Sequence, residues 1–357
     1  MKVLLVIESL GSGGAERQLT LLASLLKATG NEPIVVTWED LNFFGEFLKV
    51  HSVRHILLRP ESRIDRMLKV AALMKSERPD AVVSYLPMAN ETVALARLLC
   101  PGIRTRLIVS ERSFTVNWNI RRRLTNLLYR VADYVVANSN NEADNIRRHC
   151  PSLAHKTLAI PNMVDLERYI KIPSRKFDKP LRLVGVGRVI PSKNLERLAD
   201  ALQIVRQRGF QFRLKWYGAL YDKQCVESVK RSISENGLTD CFSLEGAVTD
   251  IPKVYAEADA FVFPTLLEGY PNVLIEAMAS GLSVAVSAVC ELPNIVTDGE
   301  NGFLFDPTDV ESMADAICRL CSLSFVEANQ IAERNRNYAE LNNSPESFLR
   351  RYLEILS

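Results

Sequence analysis

The sequence predicts an α/β protein with two doubly wound parallel sheets, each in a Rossmann-like domain. Short apolar runs alternate with helical patterns along the whole chain, as in repeated βαβ units. A length of 357 residues suits two domains. A polar stretch at residues 172–180 with two prolines reads as a linker between them. We therefore predict domains at residues 1–172 and 180–339, followed by a helical segment at 340–357.

The first half contains five apolar runs that predict strands. Helical spacing at residues 65–76 and 90–99 lies between them, and right-handed crossovers would cover both faces of the sheet. The predicted strands are Val3–Ile7, Pro33–Thr37, Asp80–Tyr85, Arg106–Ser110 and Tyr134–Ala137.

A glycine-rich turn, GSGGAE, follows the first predicted strand at residues 11–16. Such a turn lets the backbone approach a phosphate. It is neither a complete G-x-G-x-x-G fingerprint nor a Walker A loop. By itself it also fits an ordinary tight turn of a βα unit.

Two basic residues lie at the end of the first predicted strand of the second half. Arg188 is the last residue of the run at 181–188, and Lys193 comes five residues later, near the start of a helix. Two cations at the end of a strand suit a diphosphate, because Arg supplies a planar fork and Lys a point charge. Two exposed loop residues are the simpler alternative.

Two glutamates flank a predicted strand–turn–helix. An apolar run at 260–264 precedes Glu268, and Glu276 lies in a helical pattern that begins at Pro271, with seven residues between the carboxylates. The turn would present N–H groups at the carboxyl end of a sheet, which favours anionic or hydroxyl-rich ligands. Two solvated glutamates of a βα unit remain the alternative.

Charge is unevenly distributed along the chain. Residues 1–175 carry a balance of +8 and residues 176–357 a balance of −6. Residues 104–131 hold seven arginines against one acid, interleaved with apolar and aromatic residues. Such a segment suits binding to an anionic membrane surface or a lipid pyrophosphate. An ordinary domain helix with a solvated edge of arginines would show the same pattern equally well. Single-stranded nucleic acid is disfavoured, since nothing else in the chain supports it.

Composition also bears on the compartment. The seven cysteines are scattered, which favours core packing in a reducing compartment over a metal or redox role. Residues 1–7 fit a buried strand better than a signal peptide, and no run approaches the ~20 apolar residues of a membrane span. We expect a cytoplasmic protein.

The segment around the two glutamates, FVFPTLLEGYPNVLIEAMASGLSVAVS, resembles the donor-binding segment of family 4 glycosyltransferases, a GT-B group of retaining enzymes with an E-x7-E motif. The segments GRVIPSKNLERLADAL and GSGGAER resemble the G-R-x(4)-K and N-terminal glycine segments of the same family. The resemblance implies two Rossmann-like domains facing each other across a cleft, with the last helix crossing back to the first domain.

The resemblance also implies roles for particular residues. The catalytic residues would be Glu268, Arg188 and Lys193: the two cations would bind the donor diphosphate, and Glu268 would meet the donor sugar. The residues implied in donor binding are Gly13, Gly14, Val248, Gly269, Tyr270, Pro271, Asn272 and Glu276. The candidates for acceptor binding are Arg112, Arg121, Arg122 and Arg123, and Arg112 stands where many relatives carry a histidine.

The function implied is transfer of a sugar, with retention, from a nucleotide sugar to a glycan acceptor on a lipid pyrophosphate, in polysaccharide or lipopolysaccharide assembly. A UDP-sugar is the expected donor, and no cofactor and no metal are expected. We expect a peripheral protein at the inner face of the plasma membrane. A nucleotide-sugar epimerase of the same fold and a non-catalytic nucleotide-binding subunit remain as alternatives.

Overall fold

The computed structural model describes residues 1–170 and 180–357, and the side chain of Arg121 is also outside the description. The predicted linker at 172–180 therefore lies almost wholly outside the described residues. The chain forms two compact units. The first contains residues 1–163 and 345–357, and the second contains residues 164–344.

The first unit is built on a seven-stranded sheet with the order β3-β2-β1-β4-β5-β6-β7, and all neighbouring strands are parallel. The order reverses beside β1, which lies between β2 and β4. The strands are β1 (Lys2–Val6), β2 (Glu32–Thr37), β3 (Arg54–Leu57), β4 (Ala81–Tyr85), β5 (Arg106–Glu111), β6 (Tyr134–Ala137) and β7 (Thr157–Ala159).

Helices cover both faces of this sheet. Val3 and Leu5 of β1 enter one apolar core while Leu4 and Val6 enter the other, as expected for parallel strands buried on both faces. The helices are α1 (Gly14–Ala28), α2 (Gly45–Val50), α3 (Arg63–Glu77), α4 (Pro87–Leu98), α5 (Ile120–Leu128) and α6 (Asn140–His149).

The second unit has a six-stranded parallel sheet with the order β10-β9-β8-β11-β12-β13. Its strands are β8 (Leu181–Val186), β9 (Phe212–Tyr217), β10 (Phe242–Gly246), β11 (Ala260–Phe263), β12 (Ser283–Ser287) and β13 (Phe303–Phe305). Its helices are α7 (Leu195–Gln207), α8 (Lys223–Glu235), α9 (Ile251–Glu257), α10 (Asn272–Ala279), α11 (Leu292–Ile295), α12 (Val310–Cys321) and α13 (Phe325–Asn343). The predicted fold class, two doubly wound parallel sheets, is confirmed.

The last helix, α14 (Pro345–Leu356), belongs to the first unit. Phe348 and Tyr352 join its apolar core, and the Tyr352 hydroxyl lies 2.7 Å from the Tyr85 hydroxyl of β4. The unit boundaries differ from the domain boundaries in the prediction. Residues 164–170 lie in the second unit, and α13 continues to Asn343 rather than ending near residue 339.

Helix length and polarity bear on the membrane question. Across residues 1–170 and 180–357, no helix combines the length and apolar character that crossing a bilayer requires.

A close backbone approach joins the ends of β8 and β9. The Gly187 N–H donates to the Tyr217 carbonyl at 2.8 Å, and the Trp216 indole donates to the Gly187 carbonyl at 2.7 Å. Gly218 has a φ of +154°, and a Cβ at this position would lie 2.0 Å from the Gly187 oxygen. Only a glycine fits here without moving the backbone.

We predict that Gly218→Ala lowers the free energy of unfolding by about 2–3 kcal/mol, because the new methyl group meets backbone rather than a movable side chain. Urea denaturation followed by circular dichroism measures the change. Gly209→Ala is the matched control, since Gly209 also has a positive φ, +87°, but open space around it. The control should lose about 1 kcal/mol, and equal losses in both variants would contradict the close approach.

Candidate functional site

The candidate site of the second unit lies where the order of its strands reverses. β8 lies between β9 and β11, so the loops that follow β8 and β11 leave the sheet side by side at its carboxyl end. Ligands of open α/β sheets bind in the crevice at such a switch point. The loop after β8 carries Arg188 and Lys193, and the loop after β11 carries Glu268.

Hydrogen bonds to one carbonyl hold these two loops together. The Leu266 N–H donates to the Ser192 carbonyl at 2.8 Å, and the Thr265 hydroxyl donates to the same oxygen at 3.1 Å. Asn194 begins α7 in a left-handed conformation, and its amide donates to the Pro307 carbonyl at 2.8 Å. The loop that bears Lys193 is thereby fixed on both sides.

Lys193 and Glu268 meet as an ion pair. The Lys193 ammonium lies 2.5 Å from Glu268 Oε2 and 4.7 Å from the centre of the Phe263 ring. The two side chains are only 13% and 23% exposed, so solvent screens the pair less than it screens a surface pair. Two residues predicted from separate motifs are therefore in direct contact.

Arg188 differs from Lys193 in its surroundings. It is exposed, and it has no ion-pair partner among the described residues. Gly187, which precedes it, has its carbonyl fixed by the Trp216 indole. The loop therefore presents one guanidinium to solvent at the same edge of the sheet as the Lys193–Glu268 pair.

Helix α10 begins directly after the site loop. Pro271 precedes its first residue, Asn272, and no side chain caps this N-terminus. Glu276 lies one turn into the helix and is 7% exposed, and the Tyr255 hydroxyl donates to the Val273 carbonyl at 3.0 Å beside it. A carboxylate thus lies buried one turn after the start of the helix.

The remaining predicted donor residues lie at the same edge of the sheet. Gly269 follows Glu268 in the site loop, and the Tyr270 ring is buried with its hydroxyl accepting a hydrogen bond from the Asn343 amide at 2.6 Å. This bond ties the loop to the end of α13. Val248 follows β10 and is 38% exposed. The Tyr270 side chain therefore contributes to packing, and the donor contacts predicted for this residue stay a prediction.

The glycine turn of the first unit already holds a carboxylate. Gly13 precedes α1, and the Glu16 side chain folds back over it, so that a Cβ on Gly13 would lie 2.2 Å from Glu16 Oε2. Burial raises the pKa of Glu16. Gly14 is the first residue of the helix. The donor contacts of Gly13 and Gly14 stay a prediction, and in this structure the space beside Gly13 is filled by Glu16.

Arg112 lies against the end of the first sheet. Its guanidinium lies 4.3 Å from the centre of the Tyr85 ring, and it donates to Asn162 Oδ1 and, at 3.4 Å, to Ser110 Oγ. The residue that stands in place of the family's histidine is thus held by polar and aromatic neighbours of its own unit. Its role in acceptor binding stays a prediction.

The Arg122 side chain, in the middle of the arginine run, is largely buried. It is 11% exposed and lies 3.0 Å from Glu111 Oε1 and 3.8 Å from Glu142 Oε1. Thr115 donates to Glu142 through both its N–H and its hydroxyl. Burial raises the pKa of Glu142 above 4.5, although these hydrogen bonds oppose the shift. This network fixes α5 to the sheet.

Arg123 shows the opposite behaviour, since it is exposed and has no ion-pair partner among the described residues. The side chain of Arg121 lies outside the description. Arg122 therefore serves the interior of the unit whereas Arg123 faces solvent, and acceptor binding by the arginines stays a prediction. The spacing of the run could not separate these roles.

Two family models match this chain. The model described as Glycosyltransferase Family 4 matches residues 12–168, and the model described as Glycosyl transferases group 1 matches residues 180–322. The chain belongs to the family 4 glycosyltransferases. The resemblance inferred from the glutamate segment is confirmed.

Individual relatives share less of the sequence. This glycosyltransferase is 32% identical to the amylovoran biosynthesis glycosyltransferase AmsK of Erwinia amylovora over 40% of the chain, a match that spans 36% of AmsK. It is 24% identical to the lipopolysaccharide core biosynthesis glycosyltransferase LpsE of Rhizobium meliloti, over 97% of the chain and 96% of LpsE. It is 23% identical to an Escherichia coli UDP-Gal:alpha-D-GlcNAc-diphosphoundecaprenol alpha-1,3-galactosyltransferase, over 71% of the chain and 62% of that protein.

A solved structure shares the GT-B fold. Anabaena HepE, crystallised in complex with UDP, superposes with a TM-score of 0.87 at 22% identity and covers 100% of this chain and 99% of that one.

Sequence reasoning missed several residues that shape the site of this glycosyltransferase. Phe263 and Ser192 hold Lys193 and its loop, and both look like ordinary strand and turn residues in the sequence. Cys290 adopts a left-handed φ of +51° and lies against the Glu268 backbone, and burial raises the pKa of its thiol.

Among the described residues, no group of three or more His, Cys, Asp or Glu side chains is arranged to hold a metal ion.

We predict that Arg122→Met lowers the free energy of unfolding by about 3–5 kcal/mol at pH 7.5, because it leaves two buried carboxylates without a cation. The raised pKa of Glu142 sets the sign of the pH dependence. A raised carboxyl pKa contributes stability that is present below 4.5 and lost as the pH rises above it. The deficit should therefore be smaller at pH 5 than at pH 7.5 in urea denaturation.

Arg123→Met is the control, since it removes an exposed arginine from the next position of the same helix. It should change the free energy of unfolding by less than about 0.5 kcal/mol at either pH. A deficit of Arg122→Met that grows on acidification would contradict the assignment of this network.

Proposed function

We propose that this chain transfers a sugar, with retention, from a UDP-sugar to a lipid-pyrophosphate-linked glycan during polysaccharide or lipopolysaccharide assembly. The observation that carries the proposal is the contact of Lys193 with Glu268 at the switch point of the second sheet, beside the exposed Arg188. Lys193, Glu268 and Arg188 thus supply two cations and a carboxylate at the place where open sheets bind nucleotides, and a ligand phosphate could replace Glu268 beside Lys193.

The donor diphosphate would replace Glu268 as the partner of Lys193. Arg188 would bind the same diphosphate through its planar fork. Both contacts strengthen as negative charge develops on the leaving phosphate, and one such contact contributes about 3 kcal/mol to lowering a barrier. Glu268, released from Lys193, would then accept hydrogen bonds from the donor sugar.

The nucleoside would lie nearer to α10. Glu276 is a buried carboxylate beside the uncapped start of this helix, a place suited to accept hydrogen bonds from ribose hydroxyls. The backbone of Gly269, Pro271 and Asn272 would face the sugar and phosphate, with Val248 near the base. The UDP named in the HepE structure supports uridine as the base.

We propose a front-face reaction with no metal. The acceptor hydroxyl oxygen forms its bond to the anomeric carbon on the face from which the diphosphate leaves. The bond between the anomeric carbon and the phosphate oxygen breaks, and the acceptor proton passes to that phosphate oxygen. Arg188 and Lys193 would neutralise the leaving group, which is the task that a divalent ion performs in other phosphate sites.

The proposed acceptor class rests on charge and on one relative. Residues 1–175 carry the net positive charge of the chain, +8. The name of the Escherichia coli relative specifies a sugar on diphosphoundecaprenol as its acceptor. LpsE and AmsK are named for lipopolysaccharide core and amylovoran synthesis. We therefore favour a pyrophosphate-linked acceptor at an anionic membrane.

Helix α5 offers a surface suited to that membrane. Ile120, Leu124 and Leu127 recur at helical spacing and are 78%, 59% and 51% exposed. Arg123 lies beside them on the exposed side, and the helix contains no acidic residue. The buried pairing of Arg122 fixes the rotation of the helix, so that the apolar stripe faces solvent. An apolar stripe with flanking cations binds anionic lipid surfaces, and we propose a peripheral location at the inner face of the plasma membrane.

We predict that Lys193→Ala, Glu268→Gln and Arg188→Ala each lower transfer from a UDP-sugar by about 100-fold or more. The measurement is transfer of radiolabelled sugar from a panel of UDP-sugars to a polyprenyl-pyrophosphate saccharide. UDP should raise the melting temperature of the wild type by linkage, and Lys193→Ala should reduce this rise.

Lys230→Ala, which removes an exposed cation of the same unit, is the control and should transfer sugar like the wild type. Unchanged transfer in all three site variants would refute the site assignment. Isomerisation of the UDP-sugar without acceptor would favour the epimerase alternative. Binding of UDP without any turnover would favour a non-catalytic subunit.

We predict that the double variant Ile120→Ser, Leu124→Ser binds anionic vesicles roughly tenfold more weakly, because two exposed apolar side chains no longer enter the lipid. Sedimentation with phosphatidylglycerol vesicles measures this binding, which should also weaken with salt. The control is Val50→Ser, Leu341→Ser, which removes apolar side chains that are 72% and 74% exposed elsewhere. Equal weakening in the control would count against α5 as the membrane surface.

A further inference from the structure

The switch point of the first sheet carries a cluster of charges that the proposed donor chemistry does not use. β1 lies between β2 and β4, so Glu8 after β1 and Met88 after β4 meet at the carboxyl end of the sheet. The Glu8 carboxylate accepts a hydrogen bond from the Met88 N–H. Leu86, which follows β4, has a φ of +76°, an uncommon conformation for a non-glycine residue.

Backbone hydrogen bonds bring the loop after β2 to the same place. The Trp38 and Glu39 N–H groups both donate to the Glu8 carbonyl, at 3.1 and 2.9 Å. The Arg66 guanidinium lies 4.8 Å from the centre of the Trp38 ring. The Glu8 cluster, defined as Glu8, Trp38, Glu39, Arg66 and Met88, thus draws on four separate elements of the unit.

The donors of this cluster are poorly satisfied. Arg66 Nη1 donates to the Met88 thioether at 3.0 Å, and sulfur is a weak acceptor. Arg66 Nε and the Trp38 indole nitrogen are buried and have no hydrogen-bond partner among the described residues. Trp38 itself is only 8% exposed. Buried donors without acceptors are uncommon in native structures and call for a missing partner.

Met88 is suited to give way to that partner. Its side chain is 36% exposed and is flexible, so it can rotate away from Arg66 and admit an oxygen acceptor. Arg66 forms no ion pair within 4 Å among the described residues, although it lies close enough to Glu8 to act on its charge. The guanidinium therefore keeps donor capacity for a ligand.

The sign of the surrounding charge decides which ligand fits. Glu39 and Glu16 act on Glu8, and burial together with these two acids raises the pKa of the Glu8 carboxyl. Glu8 and the two acids that act on it outnumber the one guanidinium, so the charge at this place repels a phosphate or a carboxylate. A neutral sugar ring with neighbouring hydroxyls suits this cluster, because one hydroxyl can donate to the Glu8 carboxylate while another accepts from the Arg66 guanidinium.

We propose that the Glu8 cluster is a subsite for a neutral, hydroxyl-bearing sugar ring of the acceptor, and that it selects against uronic acids and phosphorylated sugars. Taking that ring to belong to the acceptor rests on the function proposed above. Glu8 would accept hydrogen bonds from the ring, and Arg66 would donate to it in place of the Met88 thioether.

The test measures binding without a donor, so that it does not depend on turnover. Saturation-transfer NMR would compare the methyl glycosides of glucose, galactose and N-acetylglucosamine with methyl glucuronoside on the full chain. At least one neutral glycoside should bind, with the glucuronoside roughly tenfold weaker. Glu8→Gln and Arg66→Met should each weaken the neutral glycoside about tenfold, because each removes a charge-assisted hydrogen bond.

Glu46→Gln is the matched control, because Glu46 is an exposed carboxylate on α2 of the same unit, and it should bind like the wild type. All variants should keep the rise in melting temperature with UDP. The proposal is overturned if no neutral glycoside binds, if the glucuronoside binds as tightly, or if both variants bind like the wild type. Failure of the proposed function would look different, as wild-type protein that gives no UDP stabilisation and no sugar transfer.

Discussion

A reversal of strand order beside the first strand of each sheet is the constraint on which the rest of the structure depends. β1 lies between β2 and β4, and β8 lies between β9 and β11. The helices that follow the central strands leave toward opposite faces, so the loops at that point separate and open a crevice. Residues far apart in the chain, such as Lys193 and Glu268, meet only because of this order.

The two crevices have different electrostatic characters. At the switch point of the second unit, Lys193 is paired with Glu268, and the same loop carries the exposed Arg188. At the switch point of the first unit, Glu16 and Glu39 act on the charge of Glu8, and Arg66 donates only to the Met88 thioether. The two proposed sites, one for a diphosphate and one for a neutral ring, would need such different charge balances.

The net charge of +8 in the first half did not predict the acidic groups at the switch point of the first sheet. One arginine of its basic segment, Arg122, is neutralised inside the unit by two buried glutamates. The charge that remains exposed, such as that of Arg123, lies on α5 beside an apolar stripe. A count of charges in the sequence treats these arginines alike. The structure shows that a buried one stabilises the unit while an exposed one lies on its surface.

Much of the fold was predictable because a parallel strand buried on both faces is a continuous apolar run. Val3–Ile7 and Ala260–Pro264 are such runs, and each ends at a turn with a marked composition. Edge strands such as β3, with the sequence RHIL and a partly exposed surface, lack that signature and were missed. The predicted boundary at residue 339 falls inside α13, which ends at Asn343, two residues before Pro345.

The sequence by itself determined the alternation of strands and helices, the family and the identity of the charged residues near strand ends, because these depend on local pattern. Only the tertiary structure decided which of those charges meet, which are buried and which face solvent. Pairing distance and desolvation depend on the packing of elements far apart in the chain, so no local pattern contains them. The Glu8 cluster, built from four elements, is the clearest instance.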